Sequence, residues 1–367
     1  MANFYIGLMS GTSIDSVDAV VASFEQGQFK LIGHLSYDIP DHLKQAIQNL
    51  CQPGIDTVQL YAETDQRLGE LFAQASLAMM AELGISSDQI LAIGSHGQTV
   101  RHAAPGKGGI AFTQQIGDPN TIAARTGCPV VADFRRKDMA LGGHGAPLVP
   151  AFHQQLFSDS EQNRVIVNIG GIANISVFGN NLMGYDIGPG NVLMDSWTKE
   201  KIGADYDESG KWAETGFLNQ KLFDHLMKEE FIHKSPPKSS GTDYFNIDWI
   251  KEKLKQIDDH ICDVDIQRTL AEFTAAIIAE AINNANGLKQ VAISGGGSKN
   301  KLLMDLIKKN VSSEIVTTDF WGMHPDWVEA AGFAYLAYLR INDISVDMST
   351  ITGSKGEIKL GNIQSPN

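Results

Sequence analysis

Apolar residues gather into short runs at Phe4 to Met9, Ala19 to Phe24 and Lys30 to Tyr37, and these runs predict three successive strands. The turns between them include Gly11 and the segment Gln26-Gly27-Gln28, so the strands form a meander. The period then changes. Asp41 to Cys51 and Asp65 to Leu83 predict helices, the second with Leu68, Leu71, Phe72 and Ala75 at helical spacing and Gly84 at its end. Gln89 to Ser95 reads as a buried strand, Thr121 to Thr126 as a short helical piece and Pro129 to Asp133 as a further strand.

The same order then restarts. Arg164 to Ile169, Ile172 to Phe178 and Leu182 to Ile187 predict a second three-strand meander, whose first turn is Gly170-Gly171. Helices are expected over Val192 to Ile202, Asn219 to Lys228, Asp248 to Gln256 and Arg268 to Asn284, the last with Leu270, Phe273, Ile277 and Ile278 on one face. Strand Gln290 to Ser294, helix Lys301 to Lys309, strand Glu314 to Thr318 and helix Val328 to Arg340 complete the pattern. The halves are not visibly alike in sequence, so the repeat is one of architecture. The segment His233-Lys234-Ser235-Pro236-Pro237-Lys238-Ser239-Ser240-Gly241 has the composition of a surface loop or linker.

At 367 residues the chain suits two domains of ordinary size, and 43% hydrophobic with 20% charged residues is a soluble globular composition. A formal charge of −14 argues against nucleic acid or an anionic membrane as partner. It leaves open a phosphate ligand held by backbone amides and a divalent cation. Cys51, Cys128 and Cys262 stand far apart in no metal-ligand spacing, which suits a reducing, cytoplasmic setting. The start of the chain lacks the basic region of a signal peptide, and no apolar stretch is long enough for a membrane span.

Against that background, several turns carry candidate chemistry. Gly11-Thr12-Ser13-Ile14-Asp15-Ser16-Val17-Asp18 offers a glycine free to take unusual dihedrals, consecutive amides, hydroxyls and carboxylates, so it is either a phosphate loop or a hairpin turn with an Asx hydrogen bond. As a phosphate loop it would put Asp15 near a metal ion. Asn168-Ile169-Gly170-Gly171-Ile172-Ala173-Asn174 is a second such turn, able to clamp a polyphosphate with the first across a cleft, or simply a tight hairpin. Ser294-Gly295-Gly296-Gly297-Ser298-Lys299-Asn300 lies between strand and helix, where bare backbone admits a flat ligand or a phosphate. It fits neither the dinucleotide fingerprint nor the Walker loop. Asp186, at a strand end before Gly188-Pro189-Gly190, is either a proton-abstracting base on stiff backbone or a capping residue. Arg135-Arg136 suits an anionic group or an ion pair with Asp133 or Asp138. His96, at a strand end, either bonds a polar substrate or satisfies backbone. Glu329 opens a helix of small residues and is able to reach into a cleft.

Taken together, these stretches resemble the anhydro-N-acetylmuramic acid kinases, sugar kinases of the actin, Hsp70 and hexokinase superfamily. The resemblance runs from Gly7 to Gly361. It is carried by Gly7-Leu8-Met9-Ser10-Gly11-Thr12-Ser13, Ser95-His96-Gly97-Gln98-Thr99, Gln115-Ile116-Gly117-Asp118-Pro119, Asp133-Phe134-Arg135 with Gly145-Ala146-Pro147-Leu148-Val149-Pro150, the Asn168 to Asn174 turn, Tyr185-Asp186 with Gly188-Pro189-Gly190-Asn191, and Ser294 to Gly297.

The resemblance implies an α/β protein of two related actin/hexokinase-like (ribonuclease H-like) domains, each opening with a three-strand meander, around a central ATP cleft that closes like a hinge. The expected division is 1–130 with about 341–367 as the first domain and 131–340 as the second, which carries the catalytic Asp and the adenosine loop. It also implies conversion of 1,6-anhydro-N-acetylmuramic acid, ATP and water into N-acetylmuramic acid 6-phosphate and ADP, a step in cell-wall recycling, by a homodimer. By the same resemblance Asp186 is the base. Gly11 to Asp18 together with Gly170, Gly171 and Asn174 bind phosphates, Gly295, Gly296, Gly297 and Asn300 lie by the nucleotide, and Asp15 contacts Mg²⁺. His96 and Glu329 are candidates for sugar hydroxyls and Arg135 for the lactyl carboxylate or cleft structure. His144 and Gly332 stand where the family pattern leads us to expect Gln and Ala. A kinase for another sugar or polyol, or a non-catalytic nucleotide-dependent protein of the same fold, are the competing readings.

Overall fold

A computed structural model describes residues 3–25, 27–105, 109–158, 164–178, 182–257, 259–285, 288 and 290–367. Gln26, in the expected turn at 26–28, lies outside the described residues. The chain forms two compact units, one of residues 1–156 and 327–367, the other of residues 157–326.

The first unit is built on a six-stranded sheet in the order Asn362–Gln364, Val130–Ala132, Ile90–Ser95, Phe4–Met9, Ser16–Glu25, Gln28–Asp38. The three strands of the meander are antiparallel, whereas Ile90–Ser95 runs parallel to Phe4–Met9 and Val130–Ala132 runs parallel to Ile90–Ser95. Ile6, Leu8, Val17, Ala19 and Val21 point into a core covered by Leu68, Phe72 and Met79 of helix Val58–Leu83. That helix starts ahead of the expected Asp65 because Thr57 caps it, accepting a hydrogen bond from Leu60 N at 3.1 Å, and its first turns are polar enough to hide the apolar period. A hairpin of Gln98–Ala103 and Phe112–Ile116 is not signalled by the hydrophobic pattern.

Helix Val328–Ile341 lies on Phe4–Met9 and Ile90–Ser95 at Gly7 and Gly94, which are register partners. A Cβ on Gly7 would stand 1.9 Å from Ala330 O, and one on Gly94 2.0 Å from Phe333 O. Glycine at both positions is therefore required by the close approach of helix backbone to sheet. The same helix corrects the expected domain division, because it belongs with residues 1–156 rather than with the second domain. Strand Val130–Ala132 belongs there too, since its partners on both sides are in that sheet. Gly332 also acquires a reason, because an alanine Cβ there would sit 2.8 Å from Val149 Cγ1.

The second unit repeats the architecture with a five-stranded sheet ordered Met183–Pro189, Ile172–Val177, Arg164–Ile169, Gln290–Ser294, Glu314–Thr317. Its meander is again antiparallel, and Gln290–Ser294 runs parallel to Arg164–Ile169 on one side and to Glu314–Thr317 on the other. Counting the strands of each sheet in chain order, both follow the order 3-2-1-4-5, to which the first sheet adds Asn362–Gln364 as a sixth, edge strand; this is the arrangement of the ribonuclease H-like fold of actin and hexokinase. Val165, Val167 and Ile169 pack with Leu270, Phe273 and Ile277 of helix Asp263–Asn284. Each meander thus ends a buried strand at a turn rich in polar groups and glycine, and both turns are among the candidate sites.

Candidate active site

In the first unit the turn after Phe4–Met9 is closed by Ile14 N donating to Gly11 O at 3.2 Å. The strained backbone is not where the sequence suggests. Ile14, not Gly11, has the positive φ, 57°, and its buried side chain joins the core. A β-branched residue in that region costs about 1–3 kcal/mol. Gly11 matters for a different reason, because a Cβ there would meet nothing within 4 Å, so the residue leaves the backbone open to a ligand. Thr12 and Ser13 are exposed, while Ile14 and Val17 are buried anchors of the turn. Asp15 Oδ1 accepts from Lys44 Nζ at 2.6 Å, and Asp18 Oδ1 accepts from the Ser16 and Ser36 hydroxyls.

His96, Arg135 and Glu329 come together in the same unit. His96 N donates to Leu8 O at 3.0 Å, which fixes the residue beside the end of Phe4–Met9, and its ring lies 4.7 Å from that of Phe333. Arg135 donates from Nε and Nη2 to His96 Nε2, at 3.0 and 2.8 Å, and from Nη1 to Gly145 O at 2.7 Å. His96 Nε2 is therefore an acceptor, the proton sits on Nδ1, and Nδ1 donates to Gly97 O at 2.8 Å. Burial and then the Arg135 charge hold the imidazole well below the usual histidine range, so it is neutral. Both ring nitrogens are engaged within the chain, so a sugar hydroxyl expected at His96 would have to compete with Arg135 or Gly97 O. Glu329, half-buried in the first turn of helix Val328–Ile341, has its carboxyl pushed up by burial, against the pull of Arg135 and with the Asp18 charge adding to the rise.

Arg136 pairs with Asp133 at 2.7 Å, so the second of the paired arginines takes the structural role. Asp138 is fully buried and accepts from Gly145 N at 2.7 Å and Thr352 Oγ1 at 2.6 Å, tying the Gly142 to Pro147 stretch to the C-terminal segment. His144 is part of that tie through its backbone, N to Thr352 O at 2.9 Å.

In the second unit the Gly170-Gly171 turn interlocks with Gly188-Pro189-Gly190. Gly190 N donates to Gly171 O and Asn191 N to Gly170 O, each at 2.8 Å, and a Cβ on Gly190 would lie 2.3 Å from Gly170 O. Gly170 itself has room, with no atom nearer its Cβ position than 3.6 Å. Asp186 is opposite Asn174 in register, and the ladder then slips so that Gly188 faces Ala173. Such a bulge re-aims a side chain at the end of a strand.

Asp186 is only 5% exposed. Its Oδ2 accepts from Ser240 N at 2.9 Å, and its own N donates to Lys238 O at 3.1 Å. The Pro and Ser rich stretch expected as a surface linker is thus in part a strap over the candidate base. Lys238, Ser239 and Ser240 are 6%, 4% and 7% exposed. Sequence reasoning missed this role, and the signal available was a lysine flanked by prolines and serines close to the end of a helical region, which composition alone scores as solvent-facing.

The three glycines of the Gly295 turn divide in the same way as Gly7 and Gly11. A Cβ on Gly295 would stand 2.5 Å from Asn168 Oδ1, and one on Gly297 2.3 Å from Ile169 Cγ2, so both are needed for packing against the end of Arg164–Ile169. Gly296 is exposed and unobstructed. The turn continues as a short 3-10 segment, Gly296–Lys299. Asn300 caps helix Lys301–Asn310, its Oδ1 accepting from Leu303 N at 3.1 Å. Among the described residues no group of three or more His, Cys, Asp or Glu is poised to hold a metal ion, and no helix is long and apolar enough to cross a membrane.

Two open-backbone turns, one in each ribonuclease H-like unit, and a buried carboxylate on a bulged strand are features suited to binding phosphate and moving a proton. Comparison with known proteins points the same way. The family described as anhydro-N-acetylmuramic acid kinase matches residues 3–366. The chain is 45% identical over 370 residues to the anhydro-N-acetylmuramic acid kinase of Photobacterium profundum, with 98% of each chain covered. It is 43% identical over 365 residues to that of Shewanella woodyi, again with 98% of each covered, and 42% identical over 362 residues to that of Vibrio vulnificus, with 97% of each. A match of this extent establishes that the chain belongs to the anhydro-N-acetylmuramic acid kinase family.

Proposed function

We propose that this chain uses ATP and water to convert 1,6-anhydro-N-acetylmuramic acid into N-acetylmuramic acid 6-phosphate and ADP, in the recycling of cell-wall sugars. The water oxygen bonds to the anomeric carbon as the bond from that carbon to O6 breaks. O6 bonds to the γ-phosphorus, and the bond from that phosphorus to the β-phosphate bridging oxygen breaks to release ADP. Asp186 takes the proton that the water loses, as the base of an inverting glycosidase does.

The observation that carries this reading is the setting of Asp186, buried on a bulged strand with Oδ2 already engaged by Ser240 N. Burial and that bond give the carboxylate a fixed direction, which is what a base aimed at a single water requires. In the first unit the turn from Gly11 to Asp18 binds phosphate through its open backbone and the Thr12 and Ser13 hydroxyls. In the second, Gly170, Gly171 and Asn174 bind phosphate, and Gly296 is the point of the glycine turn that meets the nucleotide, with Gly295, Gly297 and Asn300 shaping it. Glu329 binds sugar hydroxyls. Arg135 binds the lactyl carboxylate, and His96 acts through Arg135 by fixing the guanidinium plane.

Mg²⁺ fits this donor set as an ion held chiefly by phosphate oxygens, with the exposed Asp15 carboxylate as its protein contact, directly or through water. When bound it supplies charge neutralisation on the β and γ phosphates. We further propose a cytoplasmic homodimer. Replacing Asp186 with Asn tests the base assignment. Turnover of the anhydro sugar should fall by about 10³-fold, with nucleotide binding by calorimetry unchanged. A variant that binds nucleotide and turns over normally would remove Asp186 from the role.

A further inference from the structure

The strap over Asp186 is held by a charge that the reaction itself does not call for. Lys238 is 6% exposed, yet the bonds that its Nζ makes are to neutral groups. It donates to two backbone carbonyls of the short turn Glu230–His233, Phe231 O at 3.2 Å and Ile232 O at 2.8 Å. The ring of Phe231 lies 5.0 Å from the ammonium and that of Tyr185, the neighbour of Asp186, 5.9 Å. The turn is itself anchored, because buried Glu229 accepts from Lys253 Nζ at 2.9 Å, Trp249 Nε1 at 3.2 Å, Phe231 N at 3.4 Å and the Tyr244 hydroxyl. A continuous chain of bonds therefore runs from helix Ile247–Lys255, through Glu229 and the turn, to Lys238, and from Lys238 to Asp186.

We propose that Lys238 is a positioning residue for Asp186: its buried ammonium pins residues 238–240 so that Ser240 N stays on Asp186 Oδ2 and Lys238 O stays on Asp186 N. This deepens the assignment of Asp186 as base and rests on it. Burying an ammonium is costly unless its protons are bonded, and here they are spent on carbonyls of a different segment, which is the geometry of a clamp. The adjacent Ser240 Oγ adds a second indication that the strap belongs to the site. It is buried and has no hydrogen-bond partner among the described residues, so a ligand hydroxyl or water at Asp186 would complete it.

The clamp loosens when Lys238 loses its proton. Burial lowers the ammonium to about 8, against the pull of the carboxylates that face it, Asp186 on strand Met183–Pro189 and Glu280 on helix Asp263–Asn284. Tyr185, whose ring lies beside it, is pushed up by burial and stays neutral through this range. The protein should therefore lose kcat as pH rises through about 8, with KM for the sugar little changed. Lys238→Met should lower kcat by about 10²-fold at neutral pH and abolish that alkaline fall. Glu280→Gln, at an exposed position outside the site, should leave neutral activity unchanged and move the fall to lower pH, because the carboxylate that supports the ammonium is gone.

The experiment is the pH profile of kcat for the full chain and for Lys238→Met, Glu280→Gln and Asp186→Asn, with nucleotide binding measured on each as a check of folding. If Lys238→Met binds nucleotide yet keeps kcat within about two-fold and the same profile, the proposal is overturned. If Lys238→Met does not fold, Glu280→Gln decides, and an unmoved alkaline fall overturns it. Failure of the base assignment looks different, since Asp186→Asn would then retain turnover.

Discussion

A methyl group added to Gly11 and one added to Gly170 meet no atom of this chain closer than van der Waals contact. Whatever such a methyl disturbs must come from outside the chain, so these positions separate ligand binding from folding. Gly11→Ala should unfold in denaturant within about 0.5 kcal/mol of the parent while raising KM for ATP about ten-fold or more. Unchanged kinetics in Gly11→Ala would show that no phosphate approaches this turn. The residue scale is also where the sequence misleads most. Gly11 reads as the residue that supplies unusual dihedrals, but Ile14 takes them, because its side chain is pulled into the core and the backbone follows. His96 reads as a substrate contact, but Arg135 and Gly97 already engage both of its ring nitrogens, so a sugar hydroxyl would have to compete with them. Neither outcome is visible in residue type, since each depends on which long-range neighbour arrives.

At the scale of elements, helix Val328–Ile341 is seated by close backbone approach at two glycines as well as by buried Phe333 and Leu336. Backbone meets backbone at Gly7 and Gly94, and no rotamer change can relieve an added Cβ at 1.9 Å from Ala330 O. Gly7→Ala should therefore cost about 3 kcal/mol or more in chemical unfolding, in contrast to Gly11→Ala a few residues along the same chain. A cost below about 1 kcal/mol would show that the helix sits further off the sheet. Most elements of this kind were legible from hydrophobic period. Strands Phe4–Met9, Arg164–Ile169 and Gln290–Ser294 and helix Val192–Ile202 have the bounds that pattern predicts, because a glycine-bearing turn follows each apolar run. The strap at Lys238 to Ser240 was not legible, since its burial comes from bonds to Asp186 and to carbonyls of the turn Glu230–His233, and composition carries no trace of either.

At the scale of the molecule, two units of one topology grow from two meanders that share no obvious sequence likeness. What the repeat preserves is an order of strands and the place of a polar turn after the first of them. The expected division failed at its edges because the last helix and the strand Val130–Ala132 return to the first sheet, a long-range pairing that local pattern does not report. The proposed chemistry couples water attack to phosphoryl transfer on one sugar, with Asp186 taking the proton. An ordinary sugar kinase would phosphorylate a free hydroxyl and use no water. The decisive reaction is that of the full chain with 1,6-anhydro-N-acetylmuramic acid and ATP in ¹⁸O water, analysed by mass spectrometry of the sugar phosphate. One ¹⁸O atom at the anomeric hydroxyl and none in the phosphate is the predicted result; a phosphorylated product without label at that carbon would show that water attack and phosphoryl transfer are not coupled.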